Sequence, residues 1–121
     1  MKKIIFLLAA TALLIAHAPA DAQKKNAEPT ISGVARSASL MRQIGEACPL
    51  LMDVNRDLAD RYLQAFVETG EQAFGKAAFQ KALATEYARR AAEVKARTPE
   101  SWCLEERARL KDMGGGALFS K

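Results

Sequence analysis

The fold is decided by one stretch of sequence, residues 40–65, which reads LMRQIGEACPLLMDVNRDLADRYLQA. Its apolar residues recur at steps of three and four, as on one face of an α-helix. They are Leu40, Ile44, Ala47, Leu51, Val54, Leu58, Tyr62 and Ala65. Pro49 interrupts the stretch, because proline lacks an N–H and clashes with the carbonyl four residues earlier. We predict either two helices that meet near Cys48 or one helix kinked there, and the preserved phase favours the kink.

Helical signals continue through the rest of the chain. Gly70 is the predicted C-terminal stop of the first stretch, and the segment 71–97 that follows is rich in the strong helix formers Ala, Glu, Lys and Arg. Thr98-Pro99-Glu100 then combines an N-cap residue, a first-turn proline and a first-turn acid, which predicts that the last helix begins there. This helix is expected to end near Met113 and to bury one broad side, comprising Trp102, Cys103, Leu104, Leu110 and Met113.

The predicted fold is therefore all-α, a small antiparallel bundle of three to four helices, with one helix kinked or broken at Pro49 and one disulfide stapling the bundle. The helical domain is expected at residues 37–113. Residues 23–36 are polar and aperiodic, which predicts a flexible N-terminal arm. Residues 114–121 begin with three glycines, which predicts a flexible C-terminal tail.

The start of the chain has the pattern of a secretory signal peptide. Lys2 and Lys3 precede an apolar run from Ile4 to Ala16, and the small residues of Ala20-Asp21-Ala22 follow. The run is shorter than the roughly 20 residues that span a bilayer. We expect cleavage after Ala22 and a periplasmic or secreted protein of one domain. No stable membrane anchor should remain after processing, and an uncleaved N-terminal anchor is the alternative.

Two cysteines, Cys48 and Cys103, lie beyond the predicted signal peptide. Cysteines in an oxidising compartment usually pair, and these two are too far apart for a C-x-x-C redox motif. We expect a structural disulfide between them. Two free buried thiols or an intermolecular bridge are the alternatives.

The chain's only histidine, His17, lies inside the predicted signal peptide. Its loss would exclude Ser-His and Cys-His catalysis, histidine-bound zinc or haem, and a histidine pH switch. The net charge of +4 is small and mixed in sign, without the basic stripe that tracks nucleic acid. We therefore expect no cofactor, no metal and no nucleic-acid partner.

Two further patterns have both a structural and a functional interpretation. Asp53, Asp57, Asp60 and Gln64 form one row that could hold a hard cation, but the row lies opposite the apolar face and is expected to face water. Trp102 beside Cys103 is expected to pack over the disulfide. Together with four other aromatic residues it could instead form a ligand or partner surface: Tyr62, Phe66, Phe79 and Tyr87.

The plan of a signal peptide, about 100 helical residues and one long-range disulfide is similar to that of small periplasmic acid-stress chaperones. This resemblance implies a binding role. Our first hypothesis is a non-enzymatic binding or interaction protein, chaperone-like in the sense of that resemblance, whose partner is another envelope or secreted protein. The oligomeric state stays open.

Two alternatives come from other classes of protein. One is a carrier of a small apolar ligand, which requires an enclosed pocket of roughly 300 Å³ or more lined by aromatic residues. The other is an enzyme that uses carboxylates alone, such as Glu105 and Glu106. Adjacent residues on a helix diverge by about 100°, which disfavours that pair. A solid core with an exposed apolar surface would favour the interaction protein.

Overall fold

A computed structural model describes residues 29–120, and this part of the chain is all-helical, without strands. Its four α-helices are α1 (Ile31–Ala47), α2 (Arg56–Phe74), α3 (Lys76–Arg97) and α4 (Pro99–Asp112). A short 3-10 helix, Gly116–Phe119, follows α4. None of the helices in residues 29–120 is long and apolar enough to cross a membrane. The predicted signal peptide and residues 23–28 of the predicted arm lie outside the described residues.

Helix α1 packs most extensively against α2 and α3, and it also contacts α4. It begins at Ile31, inside the segment that the sequence predicted as an arm, and Thr30 caps it by accepting a hydrogen bond from Gly33 N–H at 3.0 Å. Val34 and Ala35 are buried. The prediction of an arm through residue 36 was therefore wrong for residues 31–36. The helical signal was present but overlooked, since Ile31, Val34, Ala35 and Ala38 are spaced as on one face of a helix.

Pro49 separates two helices, so the kinked alternative was wrong. Helix α1 ends at Ala47, and the N–H groups of Leu51 and Met52 both donate to the Cys48 carbonyl in the turn that follows. Asn55 then caps α2 by accepting from Leu58 N–H at 3.0 Å. The predicted apolar face does not continue through this break, because Leu51 lies exposed in the loop and Tyr62 and Ala65 are exposed on α2.

The helices α2 and α3 meet at Gly75, not at Gly70. Gly75 has φ +87°, a conformation that glycine adopts without steric cost. Gly70 lies within α2 and is buried, and an added Cβ there would overlap the ring of Phe79. The predicted stop at Gly70 was therefore wrong, because this glycine serves the close approach of α3 and leaves α2 unbroken.

The C-terminal residues fold back onto the bundle. Gly114 has φ +88°, and Gly115 N–H donates to the Leu110 carbonyl at 2.6 Å. Leu118 and Phe119 are buried, and the Leu118 carbonyl accepts from Asn55 N–H at 2.8 Å. The prediction of a flexible tail is therefore wrong up to Ser120, because two apolar side chains dock into the core.

The core consists of two clusters. We call the first the disulfide cluster; its buried members are Leu40, Met41, Ile44, Cys48, Ala59, Val94, Trp102, Cys103, Leu110, Leu118 and Phe119. We call the second the turn cluster, because it lies near the Gly75 turn; its buried members are Val34, Ala35, Ala38, Phe79 and Leu83. Leu63 and Phe66 of α2 pack against both clusters and join them.

Candidate functional site

The predicted disulfide is present. Cys48 and Cys103 are bonded, with their Cα atoms 5.7 Å apart, and both residues are fully buried. The bond links the end of α1 to the first turn of α4. Because the sulfur atoms are shielded from solvent, this geometry is that of a structural crosslink.

The five aromatic residues predicted as a ligand or partner surface do not come together. Trp102 and Phe79 are fully buried in different clusters, and Phe66 lies half-buried between them. Tyr62 is 44% exposed on α2, and Tyr87 is partly buried on α3. The five side chains are thus dispersed between core and surface and do not form one patch.

Trp102 packs in the core beside the disulfide, as the structural interpretation expected. Its indole N–H donates to Glu93 Oε1 at 3.2 Å. The hydrogen bond satisfies the one polar atom of a fully buried ring, so Trp102 needs no ligand to complete its contacts.

An open cleft runs between α1 and α2 and is bounded at one end by α3. It consists of two adjoining basins that share Arg42, Asp60 and Leu63. The first basin, of about 400 Å³, is lined by Met41, Arg42, Gly45, Glu46, Arg56, Asp57, Ala59, Asp60 and Leu63. The second, of about 450 Å³, is lined by Arg42, Asp60, Leu63, Gln64, Val67, Glu68 and Leu83. We call this whole surface the cleft.

Helix α2 gives the cleft two parallel rows of side chains. Residues four apart lie on one face of a helix. One row is apolar, Ala59, Leu63 and Val67, and the adjacent row is polar, Asp60, Gln64 and Glu68. Part of the predicted acidic row, Asp57, Asp60 and Gln64, is exposed as expected, and it borders the cleft. Within residues 29–120, no group of three or more potential ligands is placed to hold a metal ion.

Carboxylates outnumber guanidinium groups in the cleft. Its acidic residues are Glu46, Asp57, Asp60 and Glu68, and its basic residues are Arg42 and Arg56. Arg42 and Glu46 pair with each other at 3.1 Å. The local excess is therefore negative, although the chain as a whole carries a net charge of +4.

A tyrosine of α3 fixes the charged pair at the cleft wall. The Tyr87 hydroxyl donates a hydrogen bond to Glu46, and the Arg42 guanidinium lies 4.1 Å from the centre of the Tyr87 ring. The hydrogen bond to Glu46, with burial and the charge of Glu46, raises the pKa of Tyr87, and Arg42 opposes this rise. The phenol therefore remains a neutral donor, and Arg42 and Glu46 are held in place.

Sequence analysis overlooked Arg42 and Glu46 as site residues. Their spacing of four on α1 is a local signal of a helical ion pair and could have drawn attention to them. Nothing in the sequence points to Tyr87 as their partner, since Glu46 and Tyr87 are far apart in the chain. Glu68 could have been found by extending the acidic row by one further step of four.

The carboxylates considered for catalysis are engaged in ion pairs. Glu105 pairs with Arg97, and Glu106 is buried and pairs with Arg109. The two carboxylates do not converge on one concave surface, since one is exposed and the other is buried.

A second polar network joins α1, α3 and α4. Arg90 donates to Ser39 Oγ at 3.2 Å and to the Arg36 carbonyl at 3.3 Å. Burial lowers the pKa of Arg90, and the nearby carboxylates of Glu106 and Glu93 oppose this shift. The buried carboxylate of Glu86 lies 3.6 Å from Arg36. These contacts hold α1 and α3 together.

Several large apolar side chains are exposed away from the cleft. Leu50 is 98% exposed and Leu51 is 45% exposed in the loop after Cys48. Leu104 and Met113 were predicted on the buried side of the last helix, but they are 43% and 72% exposed. That prediction was wrong because α4 packs mainly through Trp102, Cys103, Glu106 and Leu110, which form a narrower stripe.

Comparisons with protein families, with curated proteins and with solved structures give no match to this chain. Its function must therefore be argued from the cleft and the core.

Proposed function

We propose that this chain is a non-enzymatic interaction protein of the cell envelope, and that its cleft receives a segment of another envelope or secreted protein. The observation that carries the proposal is the composition of the cleft. An open groove between two helices combines an apolar row with a charged rim. Surfaces of this kind bind protein segments, because the apolar row gains from burial and the rim sets orientation.

The shape of the cleft favours a protein partner over a small apolar ligand. The side chains that line it include no aromatic residue, and both basins open to solvent. A small apolar molecule bound there would stay largely in contact with water, whereas carriers enclose most of the ligand surface. A protein segment would cover the cleft along its length.

The ion pairs of Glu105 and Glu106 support a binding role over a carboxylate enzyme. A general acid and a general base must both reach one substrate. Glu106 is buried against Arg109, and Glu105 points to Arg97 on the surface. The carboxylates of Glu105 and Glu106 are thus both engaged in ion pairs of α4.

The envelope location rests on the signal-peptide pattern together with the disulfide, which is a bond of oxidising compartments. N-terminal sequencing of the protein isolated from its host should begin at Gln23. Retention of Met1–Ala22 in the mature protein would contradict this location.

Site-specific crosslinking tests the role of the cleft. A photoreactive residue at Gln64, which is exposed in the cleft, should form a defined adduct with a partner in the intact envelope. The matched control is Ala92, exposed on α3 away from the cleft. One adduct would indicate a dedicated partner, and a ladder of adducts would indicate the chaperone-like version of the function.

A blocking variant makes this test specific. A Cβ at Gly45 would meet no atom within 4 Å, so Gly45→Phe fills the first basin without entering the core. The Gln64 adduct should disappear in Gly45→Phe and persist in Ala92→Phe. Equal adducts at Gln64 and Ala92, both insensitive to Gly45→Phe, would overturn the proposed function.

A further inference from the structure

We infer that the segment bound in the cleft is a basic amphipathic helix of the partner protein. This inference rests on the proposed function and specifies the secondary structure and the charge of the occupant. Four features of the cleft support it: its length, the two rows on α2, walls whose backbone groups are already hydrogen-bonded within helices, and the excess of carboxylates.

The length of the cleft matches a short helix. Along α2 it extends from Arg56 to Glu68. At 1.5 Å per residue this is about 18 Å, which corresponds to roughly three turns of a bound helix lying alongside. An occupant of about 12 residues would therefore contact both basins.

The apolar row favours a helical occupant over an extended one. Ala59 is buried in the disulfide cluster, whereas Leu63 and Val67 are half-buried and line the cleft one helical turn apart. Residues at this spacing form a ridge of the kind that packs against a similar ridge of another helix. The walls are helices whose backbone groups bond to one another, so they cannot form a ladder with an extended strand. A helix satisfies its own backbone and needs only side-chain contacts.

The polar row sets the charge of the occupant. Asp57 and Glu68 form no ion pair within residues 29–120, and Asp60 only accepts a hydrogen bond from Gln64 at 3.3 Å. Arg42 is held by Glu46 and Tyr87, and Arg56 is the other basic residue of the cleft, so one guanidinium group faces the three carboxylates of Asp57, Asp60 and Glu68. Lysine or arginine side chains of the occupant, placed beside its apolar ridge, would pair with these carboxylates.

The net charge of the whole chain makes the binding of a basic helix more selective for the cleft. The chain carries a net charge of +4, or +3 once the predicted signal peptide with Lys2, Lys3 and Asp21 is removed. A basic helix is therefore repelled by the chain as a whole and attracted by the local excess of carboxylates in the cleft. Charge complementarity at a rim governs specificity and the rate of association more than affinity. Binding should therefore be selective for the cleft and should weaken as salt is added.

Two designed peptides of about 14 residues test the inference. Both place leucines at helical spacing on one face; one carries lysines elsewhere and the other carries glutamates in the same positions. Binding to the oxidised, processed protein is measured by fluorescence anisotropy at low salt. The lysine peptide should bind roughly tenfold more tightly than the glutamate peptide.

Reversing the charge of two cleft residues tests whether the lysine peptide binds in the cleft. Asp60→Lys/Glu68→Lys should weaken the lysine peptide by roughly tenfold. The control Glu100→Lys/Asp112→Lys makes the same change in net charge on exposed positions of α4 and should have less than about a threefold effect. Circular dichroism and melting of each variant verify that both remain folded.

The outcomes separate the two proposals. If Gly45→Phe blocks the glutamate peptide and that peptide binds as tightly as the lysine peptide, the inference is overturned while the proposed function stands. Equal effects of the two charge reversals would also overturn the inference, since the attraction would then be non-specific. If neither peptide binds and Gln64 gives no adduct in the envelope, the proposed function itself fails.

Discussion

The two core clusters are held together in different ways. In the disulfide cluster, a covalent bond fixes α1 to α4 beside the fully buried Trp102. In the turn cluster no crosslink exists, and the ring of Phe79 sits directly against the backbone at Gly70. The disulfide cluster depends on a bond between two cysteines, which are apparent in the sequence. The turn cluster depends on the absence of a side chain at Gly70. Both are ways of bringing two helices closer than ordinary side chains would allow.

The largest expected effect concerns the disulfide cluster. Removing the crosslink with Cys48→Ser/Cys103→Ser should lower the free energy of unfolding by about 4 kcal/mol, because the bond closes a loop of 55 residues in the unfolded chain. Melting of the oxidised protein with and without reductant measures this, and the reduced protein should match the variant. A melting curve indifferent to reductant would show that packing alone holds this cluster.

The second prediction concerns the turn cluster. Gly70→Ala should lower the free energy of unfolding by about 2 kcal/mol, since overlap with Phe79 outweighs the better helix propensity of alanine. Urea unfolding measures the change. Gly45→Ala is the matched control, because the helical glycine there has open space, and it should raise stability by about 0.5–1 kcal/mol.

A double variant establishes the cause. In a Phe79→Leu background, Gly70→Ala should cost much less than in the natural sequence, because the shorter side chain leaves room for the Cβ. Equal costs in the two backgrounds would show that Gly70 serves something other than the contact with Phe79.

The third prediction compares the two residues that join the helices at these clusters. Gly75 has φ +87° and ψ +145°, and Thr98 has nearly the same backbone, with φ +71° and ψ +146°. This region is costly for a β-branched residue. Gly75→Thr should therefore lower the free energy of unfolding by about 1–2 kcal/mol.

The reverse substitution, Thr98→Gly, should raise the free energy of unfolding, and by a smaller amount than Gly75→Thr lowers it. Thr98→Gly relieves backbone strain but loses the cap that accepts from Ser101 N–H at 3.4 Å, so we expect a net gain of about 0.5 kcal/mol. Chemical unfolding of both variants gives the comparison. A large loss in Thr98→Gly would show that the cap outweighs the strain.

The smallest effect concerns Tyr87, which ties α1 to α3 at the cleft wall. Because its folded-state pKa is raised, the stability linked to its protonation is fully present below about pH 10 and is lost as pH rises through the raised value. In a Tyr62→Phe background, ultraviolet titration should show phenolate forming at higher pH in the folded than in the unfolded protein. Glu46→Gln should reduce this difference, and no difference at all would contradict the contact.

Local signals accounted for much of the fold. Thr98-Pro99-Glu100 correctly marked the start of α4, since capping depends on neighbours in sequence. The pairing of Cys48 with Cys103 followed from compartment and number. The early start of α1 was missed although Thr30 is a local cap and Ile31 and Val34 begin a helical apolar face. The docking of Leu118 and Phe119 was missed because it depends on contacts with distant helices.

The candidate site was less accessible to sequence reasoning. The acidic row containing Asp57 and Asp60 was visible, and its exposure was predicted correctly. That it borders a cleft depends on where α1 lies beside α2, which no local pattern encodes. Arg42 and Glu46 of α1 are held in place by Tyr87, which lies on α3 and is distant in the sequence.

Local sequence patterns were enough to predict that the described part of the chain is helical, where its last helix begins and that Cys48 pairs with Cys103. These properties follow from helix propensity, capping and the number of thiols, which act over a few residues or by simple counting. Only the tertiary structure decided that Gly70 receives Phe79 and that α1 and α2 leave a cleft with an excess of carboxylates. The physical reason is that packing depends on the shapes of surfaces brought together from distant parts of the chain, and these shapes exist only once the helices have assembled.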